Sequence, residues 1–224
     1  MTACEGGAPN ISRSGWQHES KWMHDAWHAV LVLLTVFLAA CAGPTSDITV
    51  AIPPHIASNV ANALASVPPT RLELRDIREP QGTGLLPGRI GERKTVGNIS
   101  MGLVSINPPV GRLLTDMLRA ELMAAGHQLT DGMAKVTITG EVLRFALRTD
   151  VTAVYWDVVV DAAVMVIATG PAHSETGNYT ARHTERTYVW PSGEVIARAV
   201  RACIEDLARQ FREDQAIAAV LRAS

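Results

Sequence analysis

Chemistry in this chain would have to come from a few side chains: histidines paired with glutamates, aspartates four apart, scattered serines, and two cysteines past residue 40. His173-x-Glu175 and His183-x-Glu185 each put both side chains on one face of a strand. A zinc site needs three or four converging ligands. No His-Glu-x-x-His spacing or cysteine pair supplies them, so a wet sheet face is the expected reading. Asp157 and Asp161 also share a strand face, but four residues of strand separate them by roughly 13 Å, too far for a glycosidase pair. No Gly-x-Ser-x-Gly occurs, and Ser100, Ser105, Ser174 and Ser192 are read as loop or turn residues. Gly82-x-Gly84-x-x-x-Gly88 contains Pro87 and opens no helix, so turn chemistry accounts for it better than phosphate binding. Cys203 falls on an apolar helix stripe, where a thiol is a small inert core residue. Cys41 is the exception.

Cys41 follows Leu38-Ala39-Ala40, which closes the run His28 to Ala40, free of Asp, Glu, Lys and Arg. A polar segment, a short apolar core and small residues at the cut make a secretory signal. The run is too short for a bilayer span, which needs about 20 apolar residues, before Gly43-Pro44 ends it. The tetrad Leu38, Ala39, Ala40, Cys41 looks like a lipobox, at which bacterial lipoprotein precursors are diacylated on the cysteine and cut just before it. The expected division is a signal peptide over 1–40, a lipidated cysteine with a Pro/Ala-rich tether over 41–69, and a periplasmic domain over 70–224. Translation could start at Met1 or at Met23; the shorter start loses both Arg13 and Lys21.

Composition sets the remaining bounds. Of 20 Lys and Arg, Arg13 and Lys21 precede Cys41; of 22 Asp and Glu, Glu5, Glu19 and Asp25 do, leaving the mature chain close to neutral. Nucleic-acid binding would require a clustered basic surface, and none is visible. With Cys4 removed and Cys41 acylated, Cys203 has no partner for an intramolecular disulfide. The length suits one domain with a real core.

Periodicity places the elements. Arg71 to Arg78 alternates strictly, as a half-buried strand does. Residues 90–106 carry three glycines and read as a hairpin or ordered loop. Asn107-Pro108-Pro109 suggests a helix start with Asn as N-cap. Val110, Leu113, Leu114, Met117, Leu118, Leu122 and Ala125 then form a one-sided stripe, closed by Gly126 as C′ residue. Arg112, Thr115, Asp116, Arg119 and Glu121 are assigned to the opposite, polar side. Residues 134–147 read as a strand whose phase flips, which a bulge near Gly140–Leu143 would reconcile. Residues 156–169 suit a central strand, residues 178–189 an outer strand, and Ile196 to Phe211 a final helix. The expected class is α+β: a single, mostly antiparallel sheet with two main helices packed on one face.

The order of these blocks resembles a known family. The lipobox, Asp47-Ile48-Thr49-Val50, the Arg71–Arg78 strand, the helix block Leu114 to His127, Val164 to Thr169, and Asp214-Gln215-Ala216-Ile217 are similar to the YajG family of proteobacterial envelope lipoproteins. The resemblance spans essentially the whole mature chain. More distantly, the layout is similar to auxiliary lipoproteins of envelope ABC transporters (PqiC-like) and to LpoB-like synthase activators. The family carries no catalytic residues over, and implies no cofactor. It implies a Gram-negative envelope, and Ala42 rather than Asp after the cysteine favours the periplasmic face of the outer membrane.

The expected function is therefore non-enzymatic: a protein held to a membrane by acyl chains on Cys41, binding an envelope protein partner and no nucleic acid. An auxiliary lipoprotein of an ABC-type lipid transport system is the alternative. Arg89, Arg93 and Lys94 in the glycine-rich segment, with Trp190 at the Trp190-Pro191 corner, are the candidate partner contacts, since loops often carry function.

Overall fold

The computed structural model describes residues 46–57, 62–79, 88–132 and 134–224. The described elements are β1 (Ile48–Ala51), β2 (Arg71–Leu74), β3 (Arg89–Lys94), β4 (Ser100–Asn107), α1 (Val110–Ala124), β5 (Gln128–Leu129), β6 (Val136–Val151), β7 (Trp156–Thr169), β8 (Ser174–Thr187), α2 (Gly193–Arg212) and α3 (Gln215–Arg222). The signal segment, Cys41 and most of the 82–88 glycine loop lie outside the described residues.

The strands form one eight-stranded mixed sheet among the described residues. Long β6 is its spine. One edge of β6 pairs antiparallel with β7, which pairs antiparallel with β8. The other edge is shared: β2 runs parallel along Val136–Ile138, and β3 meets Leu147 further on. β4 pairs antiparallel with β3, and β1 and β5 add parallel pairings to β4 and β2. The expectation of a mostly antiparallel sheet with two helices is thus corrected: four of the seven pairings are parallel, and three helices are present among the described residues. The reason is that β1 and β2 pair with strands distant in sequence, which local turn signals do not report.

The expected tether is corrected too. Val50, Ile52, Ala63, Leu64 and Val67 are buried members of the core. Pro pairs interrupt regular structure in this stretch without preventing it from packing.

The bulge lies where the phase flip requires it. Register shifts between Val142 and Arg144, leaving Leu143 as the extra residue. Before it Val136, Ile138 and Val142 face the core; after it Leu147 does. Leu143 itself is exposed. One inserted residue has kept both halves of a long strand in phase with the same core.

Helix α1 buries Val110, Leu113, Leu114, Met117, Leu118 and Leu122 as its stripe demands. Its start differs from expectation. Asn107 ends β4, paired with Ala51, and its carbonyl accepts from the Ile52 amide at 2.9 Å. Pro109 occupies the cap position without a side-chain cap bond. The Glu79 carboxylate substitutes, accepting from the Gly111 amide at 2.6 Å. The C-terminus closes as a Schellman motif: Gly126, at φ +90°, donates to Met123, and His127 donates to Leu122. Thr115, assigned to the polar side, is buried and staples α1 to the preceding segment: its hydroxyl accepts from the Ile77 amide and donates to the Gly111 carbonyl.

Helix α2 is capped by Ser192, whose Oγ accepts from the Val195 amide, and buries Ile196, Ala199, Val200, Cys203, Ile204, Leu207 and Phe211. Asp214 caps α3 through Oδ1 while Oδ2 accepts from the Tyr179 hydroxyl at 2.7 Å. Burial, then the Asp214 carboxylate, pushes the Tyr179 phenol above its usual range. α2 packs on β7 and β8, the opposite sheet face carrying Asp157, Asp161, Arg144, Arg148 and Arg182.

Candidate functional site

Beyond β1 the chain crosses in front of the helices as the strap Ile52–Ala57, shaped by Pro53-Pro54. The strap, α1 and α2 enclose a groove of about 650 Å³. Its apolar lining comes from Ile52, Pro53, Pro54 and Ile56 on the strap, Leu113 on α1, and Ala202 and Ile204 on α2. His183, Glu185, Arg198, Arg201 and Glu205 form its polar rim. Ile56 is 87% exposed at the mouth, an apolar side chain with nothing covering it among the described residues.

A charged cluster lies behind this groove. His55 Nε2 is 2.6 Å from Glu121 Oε1, and its Nδ1 is 3.5 Å from Glu205 Oε2. Arg212 reaches Glu121 Oε1 at 2.8 Å and Glu205 at 3.0 Å. Burial acts to lower the Arg212 pKa, but the hydrogen bond to Glu205 and the charge of Glu121 outweigh it, so the net shift is upward. Glu121, assigned to the polar side of α1, is 1% exposed. Its placement corrects that assignment. A charged residue one step off an apolar stripe can turn inward when partners from other elements neutralise it. Here those partners are His55, some 66 positions away in sequence, and Arg212, 91 away. No local spacing could have revealed them.

The cluster holds a base flanked by carboxylates but lacks a nucleophile. Among the described residues, no serine, threonine or cysteine is hydrogen-bonded to His55, His183 or Glu121. Cys203 points to the sheet, its sulfur 3.8 Å from the Ala181 carbonyl, and burial pushes its thiol up to about 12. That is the inert core cysteine the stripe predicted. Ser100, Ser105 and Ser174 lie in strands rather than loops. His183 sits 3.8 Å from Glu185, and no group of three potential metal ligands is found among the described residues. Asp157 and Asp161 are tied to arginines: Asp157 to Arg186 at 2.8 and 2.9 Å, Asp161 to Arg148 at 2.6 Å and Arg144 at 3.3 Å.

The four candidate contact residues separate into two places. Arg89 and Lys94 line a hollow of about 410 Å³ between β3 and the end of β6, with Lys94 paired to Glu92 at 2.9 Å. Arg93 is corrected as a surface contact, being 1% exposed. It lies on the inward phase of β3, and its guanidinium bonds the carbonyls of Ser46, Met101 and Pro191. Burial lowers its pKa, with Asp47 acting against. Trp190 stacks over it, 5.4 Å from ring centroid to guanidinium, and stays 36% exposed.

An uncharacterized lipoprotein family model matches residues 92–222, more than half of the chain. The chain belongs to that YajG-like lipoprotein family. No curated protein matches the sequence. Among solved structures, protein XCC0632 of Xanthomonas campestris, assigned to family DUF330, is similar with a TM-score of 0.55 at 10% identity, covering 77% of this chain and 96% of that one. This likeness concerns the fold. A minor lipoprotein of Acinetobacter baumannii aligns at 18% identity and TM-score 0.37, over 64% of this chain and 89% of its own. Lipoprotein GNA1162 of Neisseria meningitidis aligns at 11% identity and TM-score 0.30, over 62% and 99%.

Proposed function

We propose that this YajG-like lipoprotein is anchored through acyl chains on Cys41 and acts by binding an envelope partner, without catalysing a reaction. The groove beneath the strap carries this reading. It combines an apolar floor with a rim of both charge signs, and the cluster behind it holds the strap and two helices in register. Such a groove suits an extended peptide segment of a partner, with apolar side chains against Ile52, Leu113 and Ile204 and polar groups at Arg201 and Glu205. Family membership supports the lipoprotein assignment, and Ala42 supports the periplasmic face of the outer membrane.

The anchoring is tested by labelled palmitate, expected in the wild type and lost in Cys41→Ala; incorporation that persists in the variant rejects Cys41. Membrane fractionation should place the wild type with the outer membrane, and inner-membrane sedimentation would reject that placement. Binding is tested by a photo-crosslinking residue at Ile56 or Arg201 in intact cells, with Met165 on the helix-free sheet face as control. A discrete envelope-protein adduct at the groove alone supports the reading. Adducts only at the control position would move the site elsewhere. An adduct with a component of an ABC-type lipid transporter would select the auxiliary role.

A further inference from the structure

Ser46 and Asp47, just ahead of β1, are fixed by partners from β3 and β4. The Ser46 carbonyl is held by Arg93, and the Asp47 carboxylate accepts from the Leu103 amide. Gly102, at φ +112°, lets the backbone of β4 pass against Ser46, where a Cβ would collide. Arg93 also binds the carbonyl of Pro191, so the entry point and the β8–α2 corner are one unit.

Three loop tips crowd this same end of the sheet. The β3–β4 turn follows Lys94, whose amide donates to the Thr149 hydroxyl near the end of β6. The β6–β7 turn joins Val151 to Trp156, and Trp156 pairs with Thr187, the last residue of β8. Tyr155 and Tyr188 meet edge to face at 6.5 Å. The tips are apolar. Val96 and Ile99, Val154, and Tyr188, Val189 and Trp190 are six of the nine exposed large hydrophobic residues among the described part of the chain. Two of the six are aromatic residues with polar edges, the type enriched at membrane–water interfaces. Charges nearby are balanced, with Lys94 beside Glu92, Arg148 beside Asp150 and Arg186 beside Asp157.

We propose that this end of the sheet is a bilayer-contact face, on which the loop tips carrying Val96, Ile99, Val154, Tyr188, Val189 and Trp190 rest at the lipid surface. The proposal rests on Cys41 being the lipid attachment site. Cys41 precedes Ser46 by five residues, and five residues reach at most about 18 Å when fully extended. An anchor that short holds the entry end near the headgroups, and the exposed apolar tips lie where that reach ends. Clustered exposed apolar side chains mark an interaction surface. Because the nearby charges cancel, contact comes from apolar insertion and aromatic anchoring, and zwitterionic lipid suffices.

The test uses the processed, lipidated protein, in which Trp156 and Trp190 are the remaining tryptophans. Trp156→Phe leaves Trp190 as sole reporter. In phosphatidylcholine vesicles with bromine-labelled acyl chains, its emission should fall roughly two-fold relative to unlabelled vesicles, as expected for a ring at the interface. A reporter at Ala172, in the β7–β8 turn at the opposite end, should be unaffected (Ala172→Trp with Trp156→Phe and Trp190→Phe). Val96→Asp with Ile99→Asp and Val189→Asp should abolish the Trp190 quenching while leaving palmitate incorporation and thermal unfolding unchanged, since all three side chains are exposed. Palmitate incorporation without Trp190 quenching, or equal quenching at both ends, overturns the contact face alone. Absence of palmitate from the wild type overturns the anchoring and the contact face together.

Discussion

Two ion clusters in this protein use the same side-chain chemistry in opposite settings. Behind the groove, Glu121 joins His55 and Arg212 with Glu205 at the edge; on the helix-free sheet face, Asp161 gathers Arg144, Arg148 and Arg182 while Asp157 grips Arg186. Glu121 is almost wholly inaccessible, whereas every arginine on the sheet face is substantially exposed. Water already solvates the exposed arginines, so bringing them together changes little. The buried carboxylate has given up its hydration and depends on its partners. The inner cluster therefore sets the position of strap and helices, and the outer one decorates a surface.

The contrast can be broken most sharply at Glu121. Glu121→Ala should cost about 3–5 kcal/mol in urea unfolding, because it leaves the buried Arg212 and His55 with only the half-exposed Glu205 as a carboxylate partner. Replacing Glu121 and Arg212 together by Met should recover much of that loss, since apolar residues of similar volume need no partners. A cost below about 1 kcal/mol for Glu121→Ala would put the inner cluster on a level with surface pairs.

On the sheet face the effects shrink. Asp161→Asn should cost about 1 kcal/mol, less in molar salt, because three arginines share one carboxylate at the partly exposed centre of the network. A salt-independent loss of several kcal/mol would contradict the description of this face as solvated.

Acid should likewise separate a buried group from a partly exposed one. His127, buried at the end of α1, has its pKa lowered chiefly by burial. Its neutral form is the folded one, so stability holds above the unfolded value of about 6.5 and declines as pH falls below it. Thermal melts from pH 7.5 to 5.5 should show that decline, and His127→Gln should flatten it; an unchanged slope would assign the decline to other groups. Asp157 has its pKa lowered chiefly by its hydrogen bond to Arg186. Its contribution is present above the unfolded value of about 3.9 and lost below it. Asp157→Asn should therefore produce the smallest change, confined to pH above about 4 and screened by salt.

Much of the fold was legible where the pattern is local. The α1 stripe and its Gly126 terminus, the bulge at Leu143, the inert Cys203 and the stripe of the final helix from Ile196 to Phe211 all follow from spacing within a few residues. The candidate site was legible only in its apolar part. Glu121 and Thr115 read as solvent-facing because their neighbours in sequence are polar, and the side chains that compensate them come from other elements. Arg93 read as a loop cation for the same reason, since the carbonyls that bury it belong to Ser46, Met101 and Pro191.

What the amino-acid order determined by itself is the class of side chain each element can bury: apolar stripes at helical spacing, alternation on strands, and a lipobox-like step at Cys41. Those depend on backbone geometry, which repeats over a few residues. Tertiary structure decided that β1 and β2 join the sheet in parallel, that a proline-rich stretch is core rather than tether, and that the apolar loop tips share one end with the chain entry. These outcomes depend on which distant segments meet, and the free energy of such meetings is shared between residues far apart in the chain.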